Sequence, residues 1–177
     1  MTAAALTGWF GGLWAQPAYY DYGGTVYYEN DSVYYGDQPV ATAEEYYDQA
    51  ASIAQDVPQV DDEKAEWLPL GVFALTQPDG ESTDRILQLA VSKEGVIAGT
   101  LYSDTSDSTH PVEGSVDKKT QRAVWRITDG TNPDLVMETG IYNLTKDETE
   151  ALLHFSNEQT QSVLMVRLPD SDEKSDK

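Results

Sequence analysis

From Trp67 to Pro169 short apolar runs alternate with turn residues. The runs WLPLGVFALT, RILQLAVS, GVIAGTLYS, HPVEGSVD, TQRAVWRIT, LVMETGIYN, EALLHFS and SVLMVRLP are each of ordinary strand length. Successive side chains of a strand point to opposite faces, so a period of two marks one buried and one wet face. Leu87, Leu89 and Val91 are set against Arg85 and Gln88, Ala123, Trp125 and Ile127 against Arg122 and Arg126, and Leu164, Val166 and Leu168 against Ser162 and Arg167. The links Lys93-Glu94-Gly95, Asp117-Lys118-Lys119, Asp129-Gly130 with Asn132-Pro133, and Asn157-Glu158 are short and carry turn residues, which makes successive strands antiparallel neighbours. Gly71, Gly99, Gly114 and Gly140 fall inside runs, where glycine weakens a strand unless it permits a bulge or a close approach; they predict a strongly coiled sheet. The pattern therefore predicts a mainly β fold, an eight-stranded antiparallel up-and-down barrel over 67–169, with a two-sheet sandwich as the alternative.

Ahead of the barrel the period changes. Val26 to Tyr28 and Ser32 to Tyr35 are β-branched and aromatic, parted by Glu29-Asn30-Asp31, and Gly36-Asp37 turns the chain into Gln38, Pro39 and Val40, a small β-meander. Thr42 followed by Glu45 is a capping box, and Tyr46, Tyr47, Ala50, Ile53 and Ala54 recur at helical spacing, predicting a helix from about 43 to 54 that Val57-Pro58 ends. Residues 25–57 thus form a Tyr-rich meander plus one helix, and 58–66 an acidic linker. Residues 1–24 read as a poorly ordered Gly/aromatic arm, with Trp9, Phe10 and Trp14 crowded by Gly8, Gly11 and Gly12, and 170–177 as a disordered charged tail.

Charge narrows the range of partners. The chain carries 31 acidic residues against 11 Lys and Arg, a net charge of −20, and its first base is Lys64. Such a field repels phosphate backbones and anionic lipid surfaces, so no nucleic-acid partner is expected. It favours cations, basic partners and solubility. With 0 cysteines there are no disulfides, thiolate metal sites or Cys nucleophiles. No run reaches the length of a transmembrane helix, and MTAAALTGWFGGLWAQPA lacks the basic start of a signal peptide.

Candidate chemistry is sparse. His110 stands before Pro111 in a polar stretch, and His154 alternates with Leu153 and Phe155, which puts it on the solvated face; no nucleophile motif accompanies either. Carboxylates are too numerous for any pair to point to glycosidase-type chemistry. Asp104, Asp107, Glu113 and Asp117, or Asp129, Asn132 and Asp134, offer oxygen ligands for weak Ca²⁺ binding without the EF-hand spacing, and no phosphate-cradling glycine loop is present. No catalytic, cofactor-binding or metal residue is assigned. The barrel interior, with Leu87, Leu89, Val91, Trp125, Ile127, Leu153, Phe155, Leu164 and Val166 expected inward, is bulky and predicted to be filled in preference to holding a small ligand. The unusual feature is three adjacent tyrosine pairs, Tyr27-Tyr28, Tyr34-Tyr35 and Tyr46-Tyr47, six of the chain's 11. Two pairs lie in strands and so place one ring on each face of a thin ribbon, which makes these six the candidate interaction surface, for a protein partner or for self-association.

The stretches YDYGGTVYYENDSVYYGDQPVATAEEYYDQA, WLPLGVFALT, LQLAVSKEGVIAGTLYSD, VEGSVDKKTQRAVWRI and METGIYNLT resemble a family of planctomycete bacteria, some of whose members are labelled mu-protocadherin or cell-surface protein. The resemblance covers Trp9 to about Leu168. It implies an exported or cell-envelope protein and chains that continue upstream of Trp9; it implies no chemistry and no site residues. The reading is a non-enzymatic interaction or structural module, with a small-ligand-binding barrel as the alternative and a carboxylate-dependent hydrolase as a remote one.

Overall fold

The computed structural model describes residues 1–61, 63–130, 134–156 and 159–169. Asp62 of the acidic linker, the turn residues Asn132-Pro133 and Asn157-Glu158, and the tail 170–177 lie outside the described residues. In chain order the elements are helix α1 (Ala3–Trp9), strands β1 (Val26–Glu29), β2 (Ser32–Tyr35) and β3 (Gln38–Thr42), helix α2 (Ala43–Gln55), and strands β4 (Trp67–Thr76), β5 (Ser82–Ser92), β6 (Val96–Ser103), β7 (Ser108–Val116), β8 (Arg122–Ile127), β9 (Val136–Gly140), β10 (Glu148–Ser156) and β11 (Gln159–Arg167). The last eight strands close into a barrel in the order β10-β11-β4-β5-β6-β7-β8-β9, each strand antiparallel to its neighbours. Pairing of β11 with β4, from Leu164↔Thr76 to Arg167↔Phe73, closes the ring, so the sandwich alternative is not the fold. β1, β2 and β3 form the predicted meander as a separate three-stranded sheet.

Local chemistry accounts for these elements. Asn30 and Asp31 have φ of 51° and 63° and connect the paired residues Glu29 and Ser32, the two-residue left-handed turn whose twist suits a hairpin. Thr42 caps α2 by accepting from Glu45 N at 3.0 Å while the Glu45 carboxylate accepts from Thr42 N at 3.4 Å. Gly71 has φ +140° beside a bulge in the β4–β5 ladder, and a side chain there would also meet the Arg167 guanidinium. At Gly114 a Cβ would collide with the Val124 carbonyl across the β7–β8 ladder, a close approach that a strongly coiled barrel requires.

Four expectations are corrected. The N-terminal arm is not irregular: Ala3–Trp9 is helical, capped by Thr2, whose hydroxyl accepts from Ala5 N at 3.1 Å. Its Leu6, with Trp14, enters the same apolar core as Leu70, Phe73, Val91 and Tyr142, so it stoppers one barrel end. The run LVMETGIYN does not stay extended: β9 stops at Gly140, and Ile141–Thr145 is a 3₁₀ turn with Ile141, Tyr142, Asn143 and Leu144 all buried, a run of burial that strand alternation cannot supply. In β11 the face is reversed. Val163 and Met165 point into the core, while Leu164 and Val166 pair with Glu150 and Glu148 on the outer face. Arg167 has inward parity at the strand's end, where its guanidinium lies 4.8 Å from the Phe73 ring and donates to the Leu70 and Leu144 carbonyls. Arg85, grouped with the face opposite Leu87, shares the parity of Leu87, and it stays exposed because it stands at the mouth of the interior at the opposite end.

Candidate functional site

Seen from the barrel, the meander has an inner and an outer face, and the tyrosines divide between them. Val26 and Val33 are buried with Tyr20, Tyr22, Tyr46 and Leu152, which places the meander against the outer wall of β10. On this inner face the Tyr28 ring meets Tyr46 edge-on at 6.3 Å, and the Tyr35 ring meets Tyr20 at 5.5 Å; both remain about 40% exposed, at 40% and 39%. Tyr27 and Tyr34 pair across the strands on the outer face and stack at 5.1 Å with rings 4° from parallel. Tyr47 donates to the Asp134 carbonyl at 2.7 Å and meets the His154 ring at 5.9 Å. The structure thus brings Tyr28, Tyr35, Tyr46 and Tyr47 to one side of the barrel and turns Tyr27 and Tyr34 away.

Alternation along the strands predicts a wet surface beneath those rings, and the structure buries it. Arg122 and His154 do sit on the outer face, but α2 and the meander cover it, leaving them 2% and 0% exposed. Between them stands Glu138 of β9, also fully buried. Arg122 grips it with two hydrogen bonds, Nε to Oε2 at 2.7 Å and a terminal nitrogen to Oε1 at 2.9 Å, and His154 Nε2 lies 2.6 Å from Oε1. Arg122 reaches up to α2 as well, donating to Gln49 Oε1 at 2.8 Å and to the Tyr46 carbonyl at 3.1 Å while its guanidinium lies 3.7 Å from the centre of the Tyr46 ring. Burial alone would push the Glu138 carboxyl up; the Arg122 charge and the hydrogen bonds from His154 and Arg122 outweigh it and hold the carboxyl below its ordinary range. Thr160 Oγ1 stands 2.9 Å from His154 Nδ1, giving the hydroxyl, imidazole and carboxylate order of a hydrolase triad. Here both carboxylate oxygens are held by Arg122, and the assembly fixes α2 to the barrel wall. Alternation in a single strand can find the face of Arg122 and His154; it carries no signal for the helix that covers them.

Beside this cluster a cleft of about 420 Å³ opens between the meander, α2 and the β7–β8 turn, lined by Tyr20, Tyr35, Tyr46, Gln49, Thr120 and Arg122 among others. Tyr20 donates from its hydroxyl to the Thr120 carbonyl at 2.5 Å, and burial raises its pKa to about 12. The Tyr46 hydroxyl is buried without a hydrogen-bond partner. Gln49, Thr120 and Arg122 also border an adjoining groove that carries Glu45, Asp48 and Asp117. The cleft therefore has an aromatic lining, one cation already neutralised by Glu138, and an acidic approach.

The barrel interior is filled only in part. Core side chains and the α1 stopper occupy one end, whereas at the other a cavity of about 140 Å³ remains, walled chiefly by apolar side chains. His110 is half-buried on β7, 2.9 Å from Asp129, away from His154. Asp104 and Asp107 lie in the β6–β7 turn and Asp117 beyond the far end of β7, so the first proposed Ca²⁺ set is dispersed; Asn132 of the second lies outside the described residues. Among the described residues no three His, Cys, Asp or Glu side chains gather as a metal site, and no helix is long and apolar enough to cross a membrane. Comparison with protein-family models, with curated proteins and with solved structures gives no match.

Proposed function

We propose that this protein is a non-enzymatic interaction module that receives a basic segment of a partner protein in the Tyr-lined cleft. The observation that carries this reading is the cleft itself, about 420 Å³ with Tyr20, Tyr35 and Tyr46 on its walls and a buried, unpaired phenol hydroxyl at Tyr46. Tyrosine offers a large apolar face with a polar tip and suits cationic side chains, which are drawn to the faces of aromatic rings. The charge of the surroundings supports the same class of partner. Glu45, Asp48 and Asp117 border the adjoining groove, and the chain has no base before Lys64. The resemblance to cell-surface proteins supports an exported or cell-envelope setting for the module.

Titration with a hexapeptide of alternating Lys and Gly, followed by amide NMR, tests the reading. Shifts centred on Tyr35, Val40 and Gln49, weakened by salt and lost in Tyr35→Ala, are the expected outcome. Shifts spread evenly over the acidic surface, or none, would overturn it, because a net charge of −20 attracts any cation weakly wherever it lands.

A further inference from the structure

The second cavity lies inside the barrel, at the end away from α1, and its chemistry differs from that of the cleft. Its wall includes Leu75, Leu87, Leu101, Met137 and Phe155, and its volume is about 140 Å³. A dry apolar cavity of about 150 Å³ accepts one benzene ring, so this one has room for a single ring or a short branched chain. Trp125 on its wall is 2% exposed, and the indole N–H has no hydrogen-bond partner. A buried donor left unpaired calls for an acceptor. Charge selects further. The charged residues lining the cavity are Arg85 and Arg126, although acids outnumber bases 31 to 11 in the chain, and neither guanidinium has a carboxylate within ion-pair distance among the described residues. Arg85, exposed at the start of β5, shares the inward parity of Leu87 and stands at the mouth, whereas Arg126 has the outward parity of Arg122, opposite Glu113 of β7, and only borders the rim.

We propose that the barrel mouth is a binding site for a small hydroxyaryl carboxylate. The ring occupies the apolar cavity, the phenolic oxygen accepts from Trp125 Nε1, and the carboxylate rests at the mouth against Arg85. This assignment uses none of the cleft residues and stands or falls independently of the basic-partner reading. Calorimetry on the full chain with 4-hydroxyphenylacetate, phenylacetate, p-cresol and tyramine tests each part. The hydroxy acid binds tightest; p-cresol, which lacks the carboxylate, and tyramine, which replaces it with a cation, each bind at least about tenfold more weakly, and phenylacetate falls between. Arg85→Gln, at the barrel rim, brings the hydroxy acid down to the affinity of p-cresol and leaves p-cresol unchanged. Trp125→Phe, checked for folding by circular dichroism, removes the advantage of the hydroxyl. Equal binding of the acid and tyramine, an acid affinity unmoved by Arg85→Gln, or no binding of any of the four overturns the proposal.

Discussion

Two helices dock on the same barrel by opposite means. Helix α1 inserts Leu6 into the apolar core at one end, with Trp14 following, and its polar contacts sit at the margin: Thr7 Oγ1 lies 2.7 Å from the Tyr142 hydroxyl, and Trp14 Nε1 donates to the Lys118 carbonyl at 2.7 Å. Helix α2 lies flat on the wall with Ala50 and Ala54 against Val124 and Val136, and at its first turns it covers a buried arginine, glutamate and histidine. An apolar wedge gains area and tolerates small shifts. An ionic cluster gains little net energy, since removing charges from water costs about as much as their attraction returns. It does dictate position: Gln49 and the Tyr46 carbonyl must meet the remaining donors of Arg122. One docking is built for strength and the other for register, and the cleft lies on the side where register matters.

The largest effect expected is from Glu138→Ala, which strands Arg122 and His154 without their shared anion. Loss of one partner of a buried pair costs about 3–5 kcal/mol, measurable by urea unfolding, whereas replacing the whole cluster with apolar side chains, Glu138→Leu with Arg122→Met and His154→Phe, recovers most of it. A loss under about 1 kcal/mol would mean that the alanine face alone holds α2. The pH dependence follows from the depressed carboxyl of Glu138. Its folded pKa lies below the ordinary 4.5, so its contribution is complete above that value and is lost as the pH falls through the folded pKa. Because protonation also relieves the repulsion of a −20 chain, the measurement is the difference between wild type and Glu138→Gln, which narrows from about pH 5 towards pH 3.

Leu6→Ala comes next, at about 3 kcal/mol, for a fully buried leucine whose removal leaves a gap at the stoppered end. Unlike the loss at Glu138, it should not vary between about pH 4 and pH 8, since no ionisable group is stranded. A pH-dependent Leu6→Ala loss would erase the distinction between the two dockings.

The same contrast explains what could be read from sequence. Leu87, Leu89 and Trp125 announce the barrel because a strand's inner face is set by its own period, and the hairpin turns supply the order. Thr42 with Glu45 announces α2 because a capping box is local. What the period leaves open is the cover over the other face, hence it assigns Arg122 and His154 to the right face and wrongly to water. In SVLMVRL apolar residues occupy both parities, and the inward end is marked by Arg167, whose reach to the Leu70 and Leu144 carbonyls no local pattern encodes. Helix α1 is seven residues long with Gly8 inside it; tertiary packing of Leu6, more than propensity, makes it a helix. Neither cavity could be read, because a cavity is what side chains from several strands fail to fill.

The smallest effect concerns the tyrosines that face neither docking. Tyr27 and Tyr34 stack across β1 and β2 on the far side of the meander, belonging to none of the buried clusters. A cross-strand aromatic pair on an open face contributes about 0.5 kcal/mol beyond its separate parts. A double-mutant cycle with Tyr27→Ala and Tyr34→Ala measures that coupling in urea, and the Glu138→Ala background sharpens it. If the meander is held in register from beneath by Val26 and Val33 without the Arg122 cluster, the coupling stays the same size when that cluster is broken. If it grows, the stack is carrying register that the ionic docking normally supplies, and the two faces of the ribbon are coupled. A coupling of zero in both backgrounds would leave the parallel rings with no part in folding, and would make them the surface to probe for a partner on the side that the cleft does not face.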